Sequence, residues 1–260
     1  GSTRIASREV RIPLVKKNRI QSIIEANVTD YFPIDISKYV LSYSIIDIEE
    51  MQEQPPQYHL MVYAAPRSIS RAYREFAENA GLTMTGINYT GDSIYHSVKG
   101  AFSKGVHMLV KIELEFTSIT IIRDGELALQ RNINYGMDSA VEAVRVFPVL
   151  GDRLDTDGAL KLLFEKKCFY GALDVNESEE YKKDSQRADE EGRQLAEAKA
   201  EVTESLRYMI GNISRIMDYY ISRNPGAVFD SIYCCGIGGQ IRGLMALLGH
   251  ELGQEVHRIR

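Results

Sequence analysis

The sequence predicts an α/β fold in two parts: a small α/β unit over about residues 8–85 and a larger core over 86–260. Three observations carry that prediction. Stretches with strand-like alternation are interleaved with stretches of helical periodicity from the start of the chain. Residues 105–134 read as a three-stranded meander, VHMLVKIEL, TSITIIRDG and ELALQRNIN, with the Asp124-Gly125 turn as a strong hairpin signal. Finally, an apolar stripe over 188–223 steps by three and four along what reads as one long helix.

In chain order, residues 8–15 (REVRIPLV) alternate apolar and polar, the period of a half-buried strand, and Pro13 suits a strand end. Ile20, Ile23, Ile24 and Val28 fall on one helical stripe. Tyr31-Phe32-Pro33 closes that helix, because proline drives its predecessor out of the α region. Strands follow at 38–48 and 57–65, joined by the polar EEMQEQPPQ as a loop or long hairpin tip. Pro66 and Ser68 open a helix over 67–80, with Ala72, Tyr73, Phe76 and Ala77 expected inward and Gly81 as the C-cap. A short strand (LTMTGINY, 82–89) and a helix near 91–102 come next.

After the meander, helices are expected near 137–147 and 157–167, and the charged stretch 174–190 reads as a solvated loop or frayed helix start. The long stripe runs through Leu195, Ala198, Val202, Leu206, Met209, Ile213, Ile216 and Tyr220 and stops at Asn224-Pro225-Gly226. A core-facing helix is the plain reading and a coiled-coil partner site the sharper one. A strand (FDSIYCC), a glycine-rich turn, a helix over 240–249 and a short strand (EVHRI) close the chain.

Composition narrows the function. With 44% hydrophobic and 26% charged residues over 260 positions, a packed core is expected rather than disorder. A net charge of −5, with no dense Lys/Arg run interleaved with aromatics, argues against nucleic acid as a partner. No apolar stretch approaches the roughly 18 residues of a membrane helix, so no direct membrane insertion is expected. Cys168, Cys234 and Cys235 have no zinc-like spacing, and the adjacent pair sits in a strand whose side chains alternate faces, so reduced thiols are expected. The Gly1-Ser2 start is of the kind tag removal leaves, which raises the expectation of an N-terminally truncated chain.

Four segments in order resemble the PilM family, the actin-like proteins of type IV pilus machines in the branch shared with FtsA. They are 8–47 (REVRIPLVKKNRI through YSIID), 61–88 (MVYAAPRSISRAYREFAENAGLTMTGIN), 119–143 (ITIIRDGELALQRNINYGMDSAVEA) and 208–259 (YMIGNISRIM through EVHRI). Together they cover most of the 260 residues, the main exception being about 148–195. The resemblance implies an actin-like (ribonuclease H-like) fold with a small inserted subdomain of the FtsA/PilM type. It implies a cytoplasmic scaffold, peripheral at the inner face of the cell membrane. The implied partner is a PilN-like inner-membrane protein, whose N-terminal peptide the family grips. A homo-oligomer is compatible with it.

The family binds ATP with Mg²⁺, held between two phosphate turns and a glycine turn under the adenosine. No Asp-x-Gly of the first phosphate turn occurs in this chain. At the second, the family's Asp-Ile-Gly becomes Lys111-Ile112-Glu113, a cation for the metal-orienting carboxylate and a bulky anion for the close-approach glycine. Glu115 adds a further negative charge where triphosphate oxygens would sit. Gly236-Ile237-Gly238-Gly239, followed by Gly243, matches the adenosine turn, although such a turn also serves tight packing alone. The expectation is therefore a binding protein with a degenerate nucleotide site, no catalytic residue, no metal and no cofactor in this chain. The alternatives are an active actin-fold ATPase and an FtsA-like division protein.

Other constellations read as ordinary structure. His59, His96, His107, His250 and His257 lack paired ligand spacing. Glu113/Glu115, on one face of a strand, reads as part of a solvated, formerly catalytic cleft, with an acid/base pair or a cation site as the sharper alternative. Tyr31, Phe32, Tyr39, Tyr43, Tyr58 and Tyr63 gather in the first part, as packing residues or as the lining of a groove for an apolar peptide.

Overall fold

Strand-forming and helix-forming segments alternate along the computed structural model, which describes residues 5–51, 54–87, 90–98, 100–187 and 189–259. The chain divides into two units, Gly1–Gly100 and Ala101–Arg260.

The first unit is built on strands β1 (Ala6–Pro13), β2 (Tyr39–Met51) and β3 (Gln54–Pro66), paired antiparallel in the order β1-β3-β2. Register places Val10 opposite Leu60 and Ile12 opposite Tyr58, so their side chains share one face. Helix α1 (Lys17–Ala26) and the single turn α2 (Val28–Tyr31) cover that face with Ile20, Ile24 and Val28, joined by Phe32. Each such fully buried aliphatic side chain contributes about 1.5–3 kcal/mol. The register of β2 slips between Ile45 and Asp47, so residues beyond the bulge exchange faces.

Helix α3 (Arg67–Asn79) buries none of its residues, and Tyr73 and Phe76 are 57% and 71% exposed. The inward assignment of Ala72, Tyr73, Phe76 and Ala77 is corrected: helical periodicity identifies an apolar stripe but not the surface that covers it. The expected strand over 82–89 is also absent among its described residues 82–87, because extended propensity makes a strand only where a ladder partner is available. Helix α4 (Thr90–Val98) follows.

The second unit carries β4 (Val106–Ile112), β5 (Thr117–Arg123) and β6 (Glu126–Ile133) as the expected meander, with Asp124 at φ 52° and Gly125 at φ 84° making the tight turn. Helices α5 (Asp138–Val146), α6 (Thr156–Glu165), α7 (Glu179–Ser185), α8 (Glu190–Ser205) and α9 (Arg207–Arg223) follow, then β7 (Ser231–Gly236), α10 (Leu244–Leu252) and β8 (Val256–Arg258). The sheet order is β6-β5-β4-β7-β8, antiparallel through β4 and parallel from β4 to β8. Met108, Val110, Ile112, Ile119 and Ile121 form the sheet side of one core, with Val144, Met209, Ile213 and Leu247 on the helix side.

The stripe over 188–223 is two helices, not one. Leu206 interrupts it, its N–H bonding Thr203 O at 3.1 Å in a tightened turn before α9 resumes. Just upstream, the Thr203 hydroxyl bonds Lys199 O at 2.6 Å and the Ser205 hydroxyl bonds Val202 O at 2.7 Å. Such back-bonding competes with the helix ladder, while leaving the apolar spacing intact. The charged 174–190 stretch likewise contains a short turn at Val175–Glu177 and helix α7, capped by Ser178 through its acceptance from Tyr181 N.

Candidate functional site

The parallel pairing of β4 with β7 sets Lys111 beside Cys235 and Ile112 beside Gly236. The two expected turns therefore meet at the carboxyl ends of adjacent parallel strands, the edge of an α/β sheet where ligands are usually held. Lys111, Glu113 and Gly236 come together there, with Gly238 and Gly239 in the following turn, Gly238–Gln240.

Their neighbours are one another and the β4 and β7 chain beside them. Lys111 Nζ lies 2.7 Å from Glu113 Oε1, so the cation and anion neutralise each other. The Phe116 ring centroid is 5.9 Å from the same ammonium. A Cβ on Gly236 would come 2.6 Å from Ile112 O, and one on Gly238 would come 2.5 Å from Ile112 Cβ. The close approach that glycine permits is thus made to the β4 backbone and side chain of this chain itself.

The turn between β4 and β5 is tied down as well. Glu113 N–H donates to Phe116 O at 2.9 Å, while Glu113 O and Leu114 O accept from Met137 and Asp138 N–H at 3.0 and 2.9 Å. Those N–H groups open α5, so its first donors are engaged by the turn. Glu115 projects as an exposed residue. Burial holds the Cys235 thiol above its usual range, with Lys111 opposing and Glu113 adding to the rise.

On the far side of the glycine turn, Arg242 N–H donates to Leu163 O at 3.0 Å and its Nη1 to Glu165 O at 2.9 Å, clasping the end of α6. Gly243, at φ 92°, opens α10 and packs against the Lys167 stem.

The first unit holds a groove of about 410 Å³ on the sheet face opposite α1, lined among others by Val40, Ser42, Tyr63, Arg74, Met84 and Ile87. Of the six aromatics singled out from the sequence, Tyr63 lines it. Phe32 and Tyr58 belong to the core under α1, and Tyr31, Tyr39 and Tyr43 pack against that core. Sequence reasoning missed Arg74, Met84 and Ile87; the only available signal was an apolar stripe on α3 running on toward Leu82.

The histidines remain scattered. His59 lies 3.5 Å from both Glu9 and Glu49, and Arg11 forks onto Glu49 at 2.8 and 2.9 Å. No cluster able to hold a metal ion occurs among the described residues. No described helix is long and apolar enough to cross a membrane.

No protein-family model matches the chain, and no curated protein matches it. Solved structures do. The fold is the actin-like α/β fold. It takes the form seen in a chain of the PilM-PilN type IV pilus biogenesis complex, with a TM-score of 0.72, 18% identity and 98% of this chain covered. This chain spans 66% of that one. An archaeal actin homolog aligns over 65% of this chain and 47% of its own, at 13% identity and TM-score 0.41. MreB 5 of Spiroplasma citri, bound to AMPPNP, aligns over 73% and 59% at 17% identity and TM-score 0.40.

Proposed function

We propose that the protein is an actin-fold scaffold of type IV pilus assembly that binds an extended segment of a PilN-like membrane protein and works without bound nucleotide. The observation carrying this reading is the likeness over 98% of the chain to a component of the PilM-PilN complex. On this reading it lies in the cytoplasm and reaches the inner face of the membrane through its partner.

The groove of the first unit supports the partner assignment. It offers Val40, Met84 and Ile87 as apolar wall, Tyr63 as an aromatic anchor and Arg74 as a cation, a lining suited to an extended apolar peptide.

The neutralised turn supports nucleotide independence. Mg-triphosphate needs a carboxylate to orient the metal and unspent donors to meet the phosphates. Lys111 stands where the carboxylate is wanted, and its charge is taken up by Glu113 at 2.7 Å. The residues present do not fit that ligand.

Calorimetric titration tests the reading: first with Mg-ATP, then with a synthetic peptide from the N-terminus of the PilN-like partner. Peptide binding without nucleotide binding is the expected result. Tight Mg-ATP binding would overturn nucleotide independence, and silence with the peptide would overturn the partner.

A further inference from the structure

Glu180 lies between two lysines that reach it from different elements. Lys167, in the loop after α6, donates to Oε2 at 2.8 Å, and Lys199 of α8 donates to Oε1 at 2.8 Å. Lys199 also reaches Asp184 Oδ2 at 3.1 Å, the same oxygen that accepts the Tyr170 hydroxyl at 3.1 Å. Its ammonium sits 5.4 Å from the centre of the Tyr170 ring. Both acids belong to α7.

Helix α7 buries none of its seven residues. It meets the unit through these charges and through an edge contact of Tyr181 on Tyr170, with ring centres 5.2 Å apart. A short helix without a buried apolar face has little stability of its own and opens at low cost. Beneath it, Lys199 is only 13% exposed at its side chain. Two ammonium groups converging on one carboxylate repel each other once that carboxylate leaves, so the cradle calls for an anion.

The geometry points to α7 as a releasable strap whose Glu180 occupies, in cis, an anion site formed by Lys167 and Lys199. The ligand class that takes its place once α7 lifts is a compact polyanion of the diphosphate kind, whose several anionic oxygens can meet both ammonium groups and carry more charge than one carboxylate. The site shares no residue with the Lys111–Glu113 turn, and it stands independently of the pilus reading.

Trypsin cleavage after Lys182 and Lys183, followed by mass spectrometry on the whole chain, reads opening of the strap. Cleavage after Arg131 in β6 serves as the control for global unfolding. Sodium pyrophosphate and sodium chloride are compared at matched ionic strength, so that plain screening acts equally in both. Pyrophosphate is expected to speed strap cleavage on the order of tenfold over chloride, with Arg131 still protected. Glu180→Gln is expected to open the strap in plain buffer. Lys199→Met, which keeps the apolar stem, is expected to do the same and to abolish the pyrophosphate effect. Equal rates in the two salts overturn the anion site, and a wild-type rate that neither salt moves overturns the strap itself.

Discussion

Gly236 sits over the carbonyl of Ile112 so closely that a Cβ built on it would lie 2.6 Å from the oxygen, and its φ of +74° is left-handed. Both demands come from this chain's own backbone, which matters for any experiment that reads glycine as the mark of a nucleotide.

Gly236→Ala is accordingly expected to lower stability by about 2–4 kcal/mol, combining a left-handed residue with a tight contact. Urea denaturation followed by circular dichroism measures it. A loss under about 0.5 kcal/mol would mean the turn relaxes freely. Because the cost arises without ligand, loss of nucleotide binding in this variant would not identify a nucleotide site.

The Lys111–Glu113 pair gives a second prediction. Their side chains are 20% and 24% exposed, so removing one partner strands a charge that water only partly reaches. Glu113→Gln is expected to cost about 1 kcal/mol, since solvent screens what remains. The double variant with Lys111→Met is expected to recover most of that loss, because an apolar side chain leaves no unpaired charge. A double-mutant cycle by denaturant titration checks it, and additive losses would mean the pair is not coupled.

Much of this was legible in the sequence. The meander followed from alternation and Asp124-Gly125, and the actin-like fold from four ordered segments. Lys111, Glu113 and Gly236 stand out in the sequence on separate grounds, and the β4–β7 register brings their strand ends together. What escaped was non-local. The apolar stripe of α3 gave no hint that Tyr73 and Phe76 lie outward, because a period fixes a face and not its partner. Likewise, Leu206 keeps its place in the stripe while the helix is interrupted there, just after the hydroxyl back-bonds of Thr203 and Ser205. The docking of α7 rests on Lys167 and Lys199, 13 and 19 residues from Glu180, and charge composition alone suggested a solvated loop there.

The groove supplies a third prediction. Ile87 lines it and is 47% exposed, so replacing it disturbs little packing. Ile87→Asp is expected to change stability by no more than about 0.5 kcal/mol. Affinity for the PilN-like peptide is expected to fall at least tenfold, about 1.4 kcal/mol, since a carboxylate would replace apolar wall. Calorimetry on the variant decides: unchanged affinity would place the peptide elsewhere. Phe76→Ser tests in the same way whether the outward face of α3 contributes.

The last prediction concerns pH and the α7 strap. Burial by itself would raise the Glu180 pKa, but hydrogen bonds from Lys167 and Lys199 outweigh it and hold the carboxyl below its ordinary value. A depressed folded pKa stabilises above the unfolded value, about 4.3, and that stabilisation fades as pH falls through the folded one. Lys199 runs the other way: burial lowers its pKa, and the bonds to Glu180 and Asp184 more than restore it. Its contribution is complete below the unfolded value, about 10.4, and is lost as pH rises through the raised folded one. The Tyr170 phenol is raised by burial first and by Asp184 next, so it too favours the strap until strongly alkaline pH. Docking of α7 is therefore expected to be flat between about pH 5 and 9 and to loosen at both extremes. The Tyr181 ring resonances, which sense the Tyr170 ring, report this by NMR without a protease. Resonances that stay in place well below pH 4 would show that α7 is held by something other than the Glu180 carboxylate.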